Sequence, residues 1–314
     1  MVFGGGSAVN GVPSTIESID TIELEPKVVD AVRTLSKYRA SDPLSDPRLN
    51  IVYNDARGAL SLTTKKYDAI VSQPSHPWSA GASHLYTREF LQLVRGRLSD
   101  QGVFLQWMNS HYVDRELLRS LGATLLDSFD HVRVYQPHSG TLLFLASQQP
   151  LEVERQIVDT GQPLRQGLKA FRWLGLHTVY DVAATLAVDH DGLAAFCAGA
   201  TPLTDNRNAL ATRAATLAEH ALRKEAETVF SEFDPLVTRE GHPSLTERLN
   251  LQPSKVVRTL ALMQMRKRAR AVTESIPESA DRLLADGFLA AYSGQMEESR
   301  RFFESVLQVD PGNR

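Results

Sequence analysis

Residues 1–147 alternate short apolar runs with stretches of helical periodicity, and this alternation narrows the fold more than any other feature. The runs 19–24, 50–53, 67–72, 102–108, 131–135 and 141–146 have the length and composition of strands. Between them, 26–38, 87–98 and 114–121 carry apolar residues at helical spacing. Such alternation predicts a parallel sheet with helices on both faces. The last two runs are joined only by Gln136-Pro-His-Ser-Gly140, too short for a crossover helix. They are expected to pair as an antiparallel hairpin.

An α/β sheet of parallel strands ending in an antiparallel hairpin is the arrangement of class I methyltransferase-like, Rossmann-like folds. Beyond it, 179–187 and 192–200 are apolar at helical spacing, and 213–314 is almost wholly helical in pattern. The expected division is a nucleotide-binding domain over 1–150, a helical extension over 151–212 and an α-helical, repeat-like region over 213–314. Gly241-His-Pro243 and Gln252-Pro253 mark breaks between helices. A chain of 314 residues, 42% of them apolar, suffices for one large domain and a smaller one.

Charge excludes some partners. With 23% charged residues and a net charge of −3, nothing points to nucleic acid or to a polybasic membrane contact. The apolar run Thr141-Leu-Leu-Phe-Leu-Ala146 is far shorter than a membrane span. Residues 1–15 are rich in Gly, Ser and Pro and lack the apolar core of a secretory leader. The single cysteine, Cys197, excludes an internal disulfide and a cysteine-based metal cluster, and reads as a small core residue. A reducing, cytoplasmic compartment fits. Asp189-His-Asp191 has no second cluster to complete a metal site and reads as a solvated turn, so no metal is expected. Arg266-Lys-Arg-Ala-Arg270 reads as the solvated face of a helix.

Met1-Val2-Phe3 runs directly into Gly4-Gly5-Gly6. If Val2 and Phe3 end a strand, most of that strand is missing, and the expectation is a fragment or a late start. The glycines let a backbone turn sharply and approach a ligand closely; a plain turn is the alternative. Ile19-Asp-Thr-Ile-Glu23 is a strand that ends in a carboxylate 17 positions past Gly6. A carboxylate there can accept both hydroxyls of a ribose. Counting from Gly4, the third glycine of the dinucleotide fingerprint is replaced by Val9. No diphosphate cradle is expected, which favours an adenosyl sulfonium over a dinucleotide. Asn54-Asp-Ala56 follows the next strand. Asp55 can accept from an adenine amino group or cap the helix that follows.

The runs Ile22-Glu-Leu-Glu-Pro-Lys-Val-Val-Asp-Ala31, Asp46-Pro-Arg-Leu-Asn50, Asn54-Asp-Ala-Arg57 and Tyr67-Asp-Ala-Ile-Val71 resemble those of spermidine synthases and their diverged relatives. So do Ser83-His-Leu-Tyr-Thr-Arg-Glu-Phe90, Gly102-Val-Phe-Leu-Gln-Trp107 and the threonine–aspartate stretch Pro202-Leu-Thr-Asp-Asn-Arg207. The resemblance covers roughly residues 1–212. It implies that Gly4, Gly6, Glu23, Asp55 and Ala56 bind S-adenosylmethionine or its decarboxylated form as co-substrate. It implies too that Tyr86 and the tip of the strand 67–72 face a small-molecule acceptor such as an amine. At that tip, polyamine synthases carry an Asp-Ser-Ser-Asp-Pro-like run, whereas this chain has Gln73-Pro-Ser-His-Pro77, then Trp78. Both acidic positions are replaced, by Gln73 and His76, and no carboxylate lies between Ser72 and Tyr86. The loss bears on chemistry, because an amine with a pKa near ~10 must be deprotonated before it attacks. His76 can serve as a base or orient the loop; Trp78 can stack on a cationic group or wall the pocket. Gln73, His76 and Tyr86 are the acceptor-site candidates.

Three further readings complete the sequence. His111-Tyr112 can reach the same pocket or serve packing, and Asp205 can tie the helical extension to the sheet or cap a helix. Residues 280–311 resemble a tetratricopeptide repeat through Gly287, Gly294, Phe303 and Asp310-Pro311, while Ser299 and Val306 depart from its small-residue positions. A single repeat needs neighbours to stack on, and an ordinary helical hairpin is the alternative. Three functions remain in view: an aminopropyl transferase, a methyltransferase for a neutral or aromatic acceptor, and a non-catalytic scaffold whose helical tail recruits a protein partner.

Overall fold

The computed structural model describes residues 3, 6, 8–39, 41–74, 81–160, 177–213 and 225–312. Two parallel strands, β1 (Ile19–Glu23) and β2 (Leu49–Tyr53), form one sheet, joined by helix α1 (Pro26–Leu35). Proline at the first turn of α1 and the Glu25 carboxylate, which accepts from the Lys27 N–H, start that helix. Helix α2 (Ala56–Leu62) leads to the second sheet. There β3 (Tyr67–Ser72) is followed by α3 (Arg88–Arg97), β4 (Leu98–Asn109), α4 (Arg115–Ser128), β5 (His131–His138) and β6 (Thr141–Ser147). Next come α5 (Val153–Thr160), α6 (Val179–Thr185), β7 (Leu186–Val188), α7 (His190–Phe196) and α8 (Ala209–Arg213). The order of the second sheet is β3-β4-β6-β5-β7. β3 and β4 are parallel, whereas β6 is antiparallel to both β4 and β5.

Asp20 of β1 links the two sheets. It accepts from the Tyr67 hydroxyl at 2.9 Å and from Lys65 Nζ at 2.8 Å. Both parallel pairs therefore start on one side and end on the other.

The two faces of the second sheet bury different partners. Along β6, Leu142, Phe144 and Ala146 join a core with Phe90 and Leu91 of α3, Leu117 and Leu121 of α4 and Phe196 of α7. Leu143 and Leu145 point the other way, as strand alternation requires, and pack with Ala183 and Ala184 of α6. The tail closes that second face. It consists of α9 (Leu245–Arg248), α10 (Pro253–Leu262), α11 (Arg266–Ser275), α12 (Ala280–Tyr292) and α13 (Met296–Val309). Leu260, Val272 and Ala285 from these helices share the core of Tyr135, Leu143 and Leu145. A smaller core of Phe3, Val9, Ile19, Val29 and Val32 holds β1 to α1.

Three expectations are corrected. The helix anticipated over 179–187 stops at Thr185, and Leu186–Val188 pairs as β7 with Val134 and Tyr135 of β5. The helix expected over 114–121 runs on to Ser128, its buried face continued by Leu125. In the basic run of α11, Arg266, Lys267 and Arg270 are exposed but Arg268 is buried, with Nε and Nη2 of its guanidinium on Asp234. Ser279 caps α12 by accepting from the Arg282 N–H, and α12 packs against α13 around Gly287, where an added Cβ would lie 2.5 Å from Phe303. Ser299 is buried and donates to the Gly287 carbonyl at 2.9 Å; Val306 is buried too.

Candidate functional site

Three segments converge on the edge where β1 and β2 end. The Phe3 N–H donates to the Ile22 carbonyl at 3.1 Å, which sets the start of the chain beside β1. The Gly6 N–H donates to the Phe3 carbonyl at 2.8 Å and closes a tight turn. Gly6 sits at φ 73°, in the left-handed region, and an added Cβ would lie 2.6 Å from Pro43 Cγ. Glycine is required there by both backbone and space. Glu23 ends β1, is 8% exposed, and its Oε1 accepts from the Glu25 N–H at 3.0 Å. The Asn54 N–H donates to the Glu23 carbonyl at 3.2 Å, so the end of β2 is fastened to the end of β1. Asp55 then caps α2, accepting from the Gly58 N–H at 2.8 Å, and Ala56 begins the helix. Of Asp55's two readings, the cap is observed; its carboxylate remains exposed. Gly6, Glu23, Asp55 and Ala56 thus gather at one edge. Gly4 lies outside the described residues.

At the tip of β3, Gln73 is exposed and Pro74 buried; His76 and Trp78 lie outside the described residues. Tyr86 is fully buried, and its hydroxyl donates to the Trp107 carbonyl at 3.2 Å. Burial pushes its phenol well above the ordinary range, with the Gln106 side chain opposing. Tyr86 is therefore held protonated. It can brace the end of β4 but cannot take a proton from an acceptor near neutrality.

Sequence reasoning passed over Gln106. It is fully buried on β4, in register with Ser72 of β3, and its Nε2 donates to the Ser72 carbonyl at 3.3 Å. Gln106 Oε1 and Ser72 Oγ are buried without a hydrogen-bond partner among the described residues. An amide within the apolar run 102–107 was the available signal.

Further along the same edge, the His138 ring accepts from the Gly140 N–H at 3.2 Å, and His111 lies beside Gly140. Partial desolvation of this otherwise exposed ring first, then the neighbouring His111, lowers the His138 pKa.

Asp205 ties the extension to α2 and to the start of α3, and it caps none of the described helices. Arg57, in the first turn of α2, donates through Nη1 and Nη2 to its two oxygens, both at 2.8 Å. The buried Thr87 hydroxyl donates to Oδ1 at 2.7 Å, and His84 Nδ1 stands 3.6 Å away. The Asp205 N–H donates to Glu89 Oε2 at 2.9 Å. The Arg57 guanidinium is the main cause that holds the Asp205 carboxyl at about 2; burial opposes it, and Thr87 and His84 assist.

A cavity of about 290 Å³ lies at the opposite end of the strands, lined in part by His131, Arg133, Glu154, Asp189, His190 and Arg248. Two ion pairs line it, Arg133 with Glu154 at 2.6 Å and Arg248 with Asp189 at 3.5 Å. Asp189 also caps α7. No group of His, Cys, Asp and Glu side chains able to hold a metal occurs among the described residues. No described helix is long and apolar enough to cross a membrane.

The edge built by Glu23 and Asn54–Asp55 falls within one stretch that matches a known family model. Residues 12–139 match the spermine/spermidine synthase domain. The matched segment contains β1 to β5, Gln73 and Tyr86, while Gly6 and Asp205 lie outside it. A polyamine aminopropyltransferase of Clostridium perfringens is 28% identical over 173 residues, which are 53% of this chain and 57% of that protein. The thermospermine synthase ACAULIS5 of Arabidopsis thaliana is 28% identical over 141 residues, 43% of this chain and 41% of that one. The chain thus spans about half the length of these curated relatives. Among solved structures, spermidine synthase from Thermotoga maritima aligns with a TM-score of 0.43 at 20% identity, over 62% of this chain and 66% of that one.

Proposed function

We propose that the first half of this chain is a spermidine synthase-like transferase domain that binds decarboxylated S-adenosylmethionine and passes its aminopropyl group to an amine. The observation that carries this reading is the meeting of the Gly6 turn, Glu23 and Asp55-Ala56 at one strand edge, most of it inside the synthase-domain match. The Gly6 turn closes tightly, with Pro43 packed where a side chain would start, and Glu23 supplies a carboxylate at the end of β1. Both fit an adenosyl ligand. Gly4 is proposed for the adenosyl side on its place in the sequence alone.

The reaction forms a bond between the acceptor nitrogen and the carbon beside the sulfonium. The carbon–sulfur bond breaks with its electrons on sulfur, methylthioadenosine leaves, and the amine loses a proton. The chain must bind a neutral amine or remove that proton. Gln73 is an amide and is no base; Tyr86 is held protonated; Asp205, at about 2, is too weak a base near neutrality. His76 is the imidazole that the sequence places at this tip. Gln73, His76 and Tyr86 form the proposed acceptor side.

A second reading, methyl transfer from S-adenosylmethionine to a neutral or aromatic acceptor, is favoured by the neutral Gln73 at the tip of β3. Calorimetry with S-adenosylmethionine, its decarboxylated form and methylthioadenosine separates the two. Preference for the decarboxylated form supports aminopropyl transfer; preference for the carboxylated form supports methylation. Binding of none favours the scaffold reading. Glu23→Ala should weaken adenosyl binding markedly, and unchanged affinity would remove the ribose assignment.

The same proposal extends to the rest of the chain. It comprises a nucleotide-binding domain over 1–150 with an antiparallel hairpin, a helical extension over 151–212 and a tail over 213–314. The stacked pairs α10–α11 and α12–α13 support a tetratricopeptide-like tail that offers a surface to a protein partner. The single buried cysteine supports a cytoplasmic setting.

A further inference from the structure

We propose that Asp205 is a positioning residue for the adenosyl site, supplied from beyond the synthase-domain segment. The inference rests on the adenosyl reading above. Arg57 is two positions past Asp55, so it shares the helical turn that presents Asp55 and Ala56. Thr87 follows Tyr86 directly and precedes the first residue of α3. One carboxylate grips both: Arg57 through two parallel charge-assisted bonds and Thr87 through its only hydroxyl. Asp205 thereby spans the adenosyl side and the acceptor side of the edge.

The backbone around Asp205 is itself fixed. The Leu203 carbonyl accepts from the Arg88 N–H at 2.9 Å, and the Leu203 N–H donates to Thr124 Oγ1 at 2.8 Å. Thr204 and Arg207 close a short bridge around Asp205. The carboxylate is thus presented from a braced turn.

Three roles compete for Asp205, and the geometry separates them. As an acceptor base it fails, because the Arg57 guanidinium holds its carboxyl at about 2, too weak to take a proton from an amine near neutrality. As a direct anchor for an ammonium it is poorly suited, because Arg57 already neutralises both oxygens and Thr87 adds a second donor on Oδ1. Holding α2 against the start of α3 remains.

The test compares methylthioadenosine affinity, thermal unfolding and amide hydrogen exchange in the full chain and its Asp205→Asn, Arg57→Lys and Thr87→Val variants. Asp205→Asn keeps the shape and removes the charge. It should lower methylthioadenosine affinity about tenfold or more and speed exchange at 56–60, with exchange at 280–309 unchanged. Arg57→Lys, which keeps charge but loses the fork, should lower affinity in the same direction. The Asp205→Asn, Arg57→Lys double variant should bind no more weakly than the worse single variant, because the two act through one contact. An Asp205→Asn protein that melts earlier yet binds with wild-type affinity would overturn the proposal. Should Asp205→Asn fail to fold, Arg57→Lys and Thr87→Val carry the same comparison. If the wild type binds no adenosyl probe, the adenosyl reading fails on its own. Exchange at 56–60 then still decides whether Asp205 orders α2: faster exchange in the variant supports it, and equal exchange refutes it.

Discussion

Arg268 and Asp234 form a buried ion pair beneath the tail, each side chain only 4% exposed. Arg268 Nη2 donates to Asp234 Oδ1 at 2.9 Å, and Nη1 donates to the Ala184 carbonyl at 2.7 Å. The guanidinium therefore joins α11 to the end of α6 through a contact that excludes water. Removing one partner strands the other charge in a poorly solvating site. Arg268→Ala should cost about 3–5 kcal/mol in unfolding free energy, read by chemical denaturation. The same change at the exposed Arg270 should leave stability within about 0.5 kcal/mol.

Gly6→Ala should damage the adenosyl edge. The new Cβ would meet Pro43 at 2.6 Å on a backbone at φ 73°. Overpacking of this kind costs about 1–3 kcal/mol. Methylthioadenosine affinity should fall with it in calorimetry. Wild-type affinity in the variant would show that the turn plays no part in binding.

His138 should make stability depend on pH. Its folded pKa is lowered from 6.5, so the folded state favours the neutral ring. As pH falls below about 6.5 the unfolded chain takes up a proton before the folded one does. Stability contributed by His138 is therefore full above that value and declines below it. Denaturation midpoints between pH 7 and pH 5 should fall more steeply in the wild type than in His138→Asn, in which an amide oxygen can replace the ring acceptor for Gly140. Parallel slopes would contradict the assignment.

Cys197 should resist alkylation while the protein is folded. Its thiol is buried, and burial pushes its pKa up to about 12. Reactive thiolate is scarce at neutral pH. Iodoacetamide should label it only in denaturant, with mass spectrometry as the readout. Rapid labelling of the native protein would mean that α7 opens readily from α4.

The strands of the first half were legible because each is a short apolar run between turn residues; β3 lies over 67–72, where the sequence places it. The same rule misplaced β7. Leu186-Ala-Val188 is buried at every position and continues the apolar pattern of α6, so periodicity carries no sign of the change from helix to strand. Arg268 was hidden for a related reason: within a run of basic residues, composition cannot tell the one that turns inward. At the site, Glu23 and Asn54–Asp55 were legible because each directly follows a strand. The double grip of Asp205 was not, since its partners lie 148 and 118 positions away and only folding brings them near.

β7 has a consequence for how this protein behaves in company. It forms the outer border of the second sheet beside β5. A long bare border would offer unpaired amides and carbonyls to any passing chain. Three residues, ended by the Asp189 cap and the turn into α7, leave little to recruit a neighbour. Lengthening this strand, or loosening α7 so that β5 is uncovered, should turn a well-behaved chain into one that clumps at high concentration.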